Sequence, residues 1–367
     1  MKTYTRVTCL LLALAAVACS PRGDPTAAQA QASGTAPAAP DFAGEHAAWV
    51  KGRAADLGKA DGWISLIGLH WIEAGTQSVG AGEGNTLQLA IAPDRLGQVE
   101  QRPDGVYFTP VEGARVTSDG TPVQGEVRLK PEGQGGGTKL TYDEGKGQIT
   151  VIRRGQRVAL RVRHADAPAR LRFTGLDFFP PDERWRVKAR FVPHPAGKTL
   201  PIVSVIGEVA ETPNPGYVLF EKEGRQWRLE ALGDPAKSLN LMFQDKTTGR
   251  QTYGVGRYLR TGPVAADGTV ALDFNRAYNP PCAYTDFATC PLPPPENRLA
   301  EQDTNGQRVR LAVLAGEKKY ALAQHQAALP YTFTMGCASR RSFRVTAWIR
   351  QRAHAARILD NAGAVRQ

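Results

Sequence analysis

The chain predicts a mainly β protein, a β-sandwich followed by a β-barrel-like domain. Three observations predict it. There are 38 Gly and 26 Pro in 367 residues, short apolar runs alternate with Gly, Asp and Pro turns, and long helix-favouring stretches are rare. A hydrophobic content of 42% with 22% charged residues is that of a globular protein able to build a core.

The elements follow in chain order. Lys2 and Arg6 precede an apolar run at 7–18 that is too short to span a bilayer and matches a secretory signal peptide over 1–18. Ala16-Val17-Ala18-Cys19 resembles a bacterial lipobox, which implies acylation of Cys19, and Ser20 after the cysteine resembles the outer-membrane sorting class. The expected location is therefore the bacterial cell envelope, lipid-anchored in the outer membrane and facing the periplasm. Ordinary signal cleavage would instead leave a free periplasmic protein. Residues 19–40 lack large apolar side chains and read as a disordered tether.

A helix is predicted over 45–57, with Ala47, Trp49, Val50 and Leu57 on one face. It opens a region, 41–175, whose strands are predicted near 77–79, 86–91, 106–109, 115–118, 126–129, 139–142, 148–153 and 158–163, the spacing of a sandwich. SVGAGEGNTLQL at 78–89 and SDGTPVQG at 118–125 resemble the glycine turn, first strand and Asn-Gly turn of a forkhead-associated domain. Ala81 stands where that family carries its phosphate-reading Arg, and no Ser-x-x-His follows, so the resemblance implies the fold without phosphopeptide binding.

A second region, 176–320, has strands predicted at 185–192, 200–209, 217–221, 226–231, 239–244, 251–259 and 269–274, which a barrel or half-barrel accommodates with a mouth for one small ligand. Its last part, DFNRAYNPPCAYTDFATCPLPPPENR at 273–298, is a proline-rich strap crowded with hydrogen-bonding side chains. Its prolines forbid regular helix or sheet. Two readings stand: a rigid strap whose Asn and Asp side chains hydrogen-bond backbone, or a loop presenting polar groups to a ligand.

The strap, with FQDKTTGRQTYGVGRYL at 243–259, DGWISLIGLHW at 61–71, RWRVKARFVPH at 184–194 and AGEKKY at 315–320, resembles the bacterial family called domain of unknown function 1684. That resemblance implies no activity, substrate or cofactor.

The ligand-binding candidates are Asp273, Asn275, Tyr278, Asn279 and Arg298 of the strap, Arg257 after a Gly-x-Gly turn, and His70 between Leu69 and Trp71. Arg257 has a competing role as an internal partner of Asp245. His70 and His194 have competing roles as packed histidines. Cys282 and Cys290 are candidates for a disulfide closing a short loop, worth about 2–3 kcal/mol by loop entropy, with Cys337 left over. They lack the spacing and second pair of a zinc site.

No Gly-x-Ser-x-Gly elbow, His-Glu-x-x-His helix, Walker loop or dinucleotide fingerprint occurs. No cofactor or metal is expected. The net charge of +11 is uneven: residues 321–367 hold seven Arg against one acid, Asp360. The body has no basic stripe interleaved with aromatics, so nucleic acid is not an expected partner. The tail itself reads as a disordered extension or a short basic amphipathic helix.

The functional expectation is a cell-envelope lipoprotein binding a small polar or anionic ligand. Two alternatives stand beside it. One is a cofactor-independent hydrolase with Asp273 or Asp286 as base and Asn279 and Arg298 holding an oxyanion. The other is a scaffold for a protein partner, which would need a large exposed apolar patch.

Overall fold

The structure, a computed structural model, describes residues 41–320 except 134, 303, 304 and 306. The predicted signal peptide and tether, with Cys19, and the basic tail, with Cys337, lie outside these residues. Asp41 begins a compact unit.

Asp41 caps helix α1 (Phe42–Leu57), its carboxylate accepting from the Gly44 amide at 2.8 Å. The helix starts three residues earlier than its apolar pattern predicts, because the cap and not the stripe sets the first turn. Leu57 packs with Ile64, Ala283 and Tyr284. His46 and Trp49 meet Phe178 edge-on. One face of the helix thus lies on later parts of the chain.

Eleven strands follow: β1 (Leu66–Trp71), β2 (Gly75–Gly80), β3 (Leu87–Gln88), β4 (Gly97–Arg102), β5 (Gly105–Pro110), β6 (Thr117–Ser118), β7 (Thr121–Pro122), β8 (Val127–Leu129), β9 (Leu140–Tyr142), β10 (Gly147–Arg154) and β11 (Arg157–His164). They form a six-stranded sheet, β1-β11-β10-β9-β6-β7, and a five-stranded sheet, β3-β2-β4-β5-β8. Val79, Val99, Phe108, Ile149, Val151, Leu160 and Val162 from both sheets share one core, as in a sandwich. The opposite face of β10 and β11 is also largely buried, with Thr150, Ile152, Ala159 and Arg161 on it. Strands β1, β4 and the two-residue β7 lie outside the predicted segments. Both faces of β1 are buried through Leu69, so it shows no alternation to read.

After a short helix α2 (Pro168–Leu171) come β12 (Arg186–Pro193), β13 (Thr199–Val203), β14 (Val209–Pro213), β15 (Gly216–Lys222), β16 (Arg225–Asp234), β17 (Ser238–Phe243), β18 (Arg257–Arg260) and β19 (Thr269–Asp273). Six of them make one antiparallel sheet, β18-β17-β16-β15-β12-β19, curled into a half-barrel around Trp227, Leu229, Phe243, Leu272 and Phe274. The single strand predicted at 200–209 is instead the hairpin β13–β14. Gly207, at φ +82°, donates its amide to Ser204 O and turns the chain. Residues 251–256, also predicted as strand, are turn, because Thr247 O collects the amides of Arg250, Gln251 and Thr252. A last ribbon pairs β20 (Ala300–Gln302) with β21 (Arg308–Arg310). No helix of the described residues is long and apolar enough to cross a membrane.

Candidate functional site

The strap leaves β19 as three single 3-10 turns, Phe274–Arg276, Pro281–Ala283 and Pro295–Asn297. Its proline positions have extended or 3-10 backbone and little regular pairing, so side chains supply the partners its backbone and its neighbours need. Asn297, 1% exposed, accepts from the Glu230 amide at 2.6 Å and donates to the carbonyls of Glu230 and Met242 at 2.9 and 2.8 Å, tying β16 to β17. Asn275 accepts from the Asp182 amide at 3.0 Å and donates to the Asp182 carbonyl at 3.0 Å and to Asp273 Oδ1 at 2.9 Å. Asp273 pairs with Arg186 Nε at 3.1 Å and Arg276 Nε at 3.4 Å. These are the backbone-satisfying roles of a rigid strap. Asp273, predicted as a ligand contact or base, is committed to two cations.

Arg257 has the internal role. It donates to Asp245 Oδ2 at 2.6 Å and to the carbonyls of Val313, at 2.9 Å, and Ala315, wholly buried. His70 is not brought to the strap. It pairs across the ladder with Leu160, so it lies on the sandwich side of β1, and burial pushes its imidazole down to about 4. Arg298 follows the third turn, half-buried. The predicted disulfide is not formed: Cys282 and Cys290 are free thiols. The strap is pinned instead by Tyr253 donating to Cys282 O, by Tyr258 donating to Pro291 O, and by an isolated bridge between Ser204 and Pro291.

Tyr278 and Asn279 are brought together, with Tyr284 and Arg53, around a buried acid. Glu317 is 1% exposed. It follows Gly316, whose φ of +80° puts the chain where any side chain would meet Ala277 O at 2.5 Å, and this close approach lets the Glu317 amide donate to Ala277 O at 2.8 Å. The Glu317 carboxylate accepts from Asn279 Nδ2 at 2.9 Å, from the Asn279 amide at 3.2 Å and from the Tyr284 hydroxyl. Arg53 of α1 places Nε 3.7 Å from it and donates Nη2 to Asn279 O at 3.0 Å. The guanidinium also lies over the Tyr278 ring at 4.7 Å and the Tyr284 ring at 5.7 Å.

Burial pushes the Glu317 carboxyl up to about 7, outweighing the opposite pull of Arg53 and the Asn279 donors. Asn279 Oδ1 is buried with no hydrogen-bond partner, and Arg53 keeps 16% of its side chain exposed. The cluster therefore has a protonatable acid, an orphan acceptor, and a cation at its outer edge.

A second group lies across the strap. Phe287 packs on Leu69, Trp71, Ile152 and Ala159 of the sandwich's outer face, and Arg154 Nε donates to Thr289 Oγ1 at 2.8 Å. Next to Thr289, Cys290 is 5% exposed, and its Sγ accepts from the Cys282 amide at 3.1 Å. Arg161 and Arg163 share one carboxylate, Glu132, at 2.5 and 3.6 Å.

Sequence reasoning missed Arg53, Glu317 and the Arg154–Arg161 pair. Glu317 stands inside AGEKKY, a segment singled out for its resemblance, so a signal existed; for Arg53, on an ordinary helix, there was none. His194 Nε2 meets Glu230 Oε2 at 2.8 Å beside Asn214 and Arg228, a packed histidine with a buried acidic partner. Two surface hollows, of about 430 and 950 Å³, are lined around Arg186 and Thr269 and around Phe42, Trp185 and Leu314, and neither includes the Glu317 cluster. No three His, Cys, Asp or Glu of the described residues are placed to hold a metal ion.

Residues 171–318 match the family model described as protein of unknown function (DUF1684). Among solved structures, the solution NMR structure of an uncharacterized protein from Haloarcula marismortui is 33% identical, with 41% of this chain and 78% of that one covered and a TM-score of 0.32. No curated protein matches.

Proposed function

The chain belongs to the DUF1684 family of proteins of unknown function, and from its own geometry we propose that it binds a small polar or anionic ligand at the outer edge of the Arg53–Glu317 cluster. The observation that carries this reading is the pairing of a part-exposed guanidinium with a buried acid that takes up a proton near pH 7. With Glu317 protonated, Arg53 is a cation without its counter-charge, lying against the faces of Tyr278 and Tyr284. An anion restores neutrality there. With Glu317 ionised, the site is already neutral and prefers an uncharged polar ligand.

Delivery to the cell envelope through acylated Cys19 belongs to the same proposal. It is supported by the signal-like run and the Ala16-Val17-Ala18-Cys19 sequence. Radiolabelled palmitate should enter the wild-type protein and not Cys19→Ala, which should appear in the soluble fraction.

Thermal shift of the full chain tests the site, using carboxylates, phosphates and sugars at pH 6 and pH 8. A melting rise that is larger at pH 6 for anions, and absent in Arg53→Ala, is expected. A ligand whose shift survives in Arg53→Ala binds elsewhere and overturns the assignment, as does the absence of any shift across the panel.

A further inference from the structure

We infer that Cys282 and Cys290 form a two-thiol site that reduces a small hydroperoxide, with Cys290 as the attacking sulfur and Cys282 as the resolving one. Four observations point to it. Cys290 is buried while Cys282 is half-buried, so only a small oxidant reaches the inner sulfur. The Cys282 amide donates to Cys290 Sγ at 3.1 Å, a contact that stabilises a thiolate. The strap seats Cys290 against the outer face of β10 and β11, where Arg154 is held at Thr289 and Arg161 is 3% exposed. Arg161 Nε and Arg163 Nε are buried without hydrogen-bond partners.

The electrostatics agree in direction. The Cys282 thiol, acting as donor, the Cys282 amide, and the charges of Arg161 and Arg154 hold the Cys290 thiol below the ordinary range against the opposing effect of burial. Hydrogen bonding to Cys290, followed by burial, pushes Cys282 up. Tyr258 of β18 faces the same sulfurs, and burial and their charge keep its hydroxyl protonated. One sulfur is thus set up as nucleophile and the other as reserve thiol.

The chemistry balances without a cofactor. The Cys290 thiolate attacks the terminal oxygen of the hydroperoxide; an S–O bond forms, the O–O bond breaks, and the departing alkoxide or hydroxide takes a proton from solvent. Arg161, whose charge already acts on Cys290, is the nearby cation that steadies the negative charge on the departing oxygen. Cys282 then attacks the sulfenic sulfur; an S–S bond forms, the S–O bond breaks, and water leaves with the Cys282 proton. The dithiol loses two electrons and the hydroperoxide is reduced to alcohol or water.

The test uses the full-length protein, hydrogen peroxide and dimedone, with peptide mapping to separate these cysteines from the others. Cys282→Ser should accumulate a dimedone adduct on Cys290 at pH 7. Cys290→Ser should label Cys282 roughly tenfold more slowly, the difference expected of a thiolate and a thiol. Wild type should form little adduct and instead yield a linked 282–290 peptide. Arg161→Gln and, should that variant melt early, Arg154→Gln should slow labelling of Cys290 in the Cys282→Ser background. Faster labelling at Cys282, equal rates at both positions, or no adduct on Cys290 would overturn the assignment.

Discussion

Arg53 Nε stands 3.7 Å from Glu317 Oε2, joining the helix that opens the described residues to the segment that closes them. The contact spans 264 positions in sequence, and both partners are held by the strap between them: Asn279 gives its carbonyl to Arg53 and its side-chain amide to Glu317.

This pairing gives Glu317 a stability signature. Its folded carboxyl titrates near 7, above its value of 4.5 when exposed, so its contribution is fully present below pH 4.5 and lost as pH rises through 7. His70 has the opposite sign: folded near 4 against 6.5 when exposed, it contributes above pH 6.5 and loses that as pH falls toward 4. Each swing is of the order of 3 kcal/mol. Urea unfolding between pH 4.5 and 7 should therefore lose stability toward low pH in Glu317→Gln, relative to wild type, and toward high pH in His70→Phe. Identical pH slopes in all three proteins would refute both titrations.

Anion binding at Arg53 should weaken as pH rises from 6 to 8, because ionised Glu317 competes for the guanidinium. In Glu317→Gln the affinity should become independent of pH over that range. Isothermal titration at the two pH values decides it.

Asn297→Ala should cost about 3 kcal/mol, since it removes three buried hydrogen bonds and leaves the Glu230 and Met242 backbone groups without their partners. Its anion affinity should stay unchanged in the fraction that is folded. A loss of affinity with no loss of stability would reverse the structural role assigned to this residue.

Arg257→Met should cost about 3–5 kcal/mol by leaving Asp245 buried without its cation. Arg257→Met combined with Asp245→Leu should recover part of that loss. Denaturant midpoints for the two single variants and the double variant measure the coupling.

Much of the architecture was legible in the chain. Strands such as β10, β15 and β16 alternate or run apolar between turn residues, and those patterns are local. At Gly207 a single glycine turns the chain inside one apolar run, so the pattern predicts one strand where the fold has the hairpin β13–β14. The strap was recognised as unusual from its prolines and polar side chains, and Tyr278 and Asn279 were singled out in it. The assignment of its other residues was not legible: Asn275 and Asp273 looked as available as Asn279.

Residue type alone settled that this chain folds as β-sheet and that a polar, proline-interrupted strap needs many hydrogen-bond partners, because propensity and turn preferences act over a few residues. Tertiary structure decided which partner each polar atom received. Asn297 found the backbone of β16 and β17, Arg257 found Asp245, and Glu317 found Arg53, because a buried donor or acceptor is satisfied by whatever group the fold brings within about 3 Å of it, at any separation along the chain.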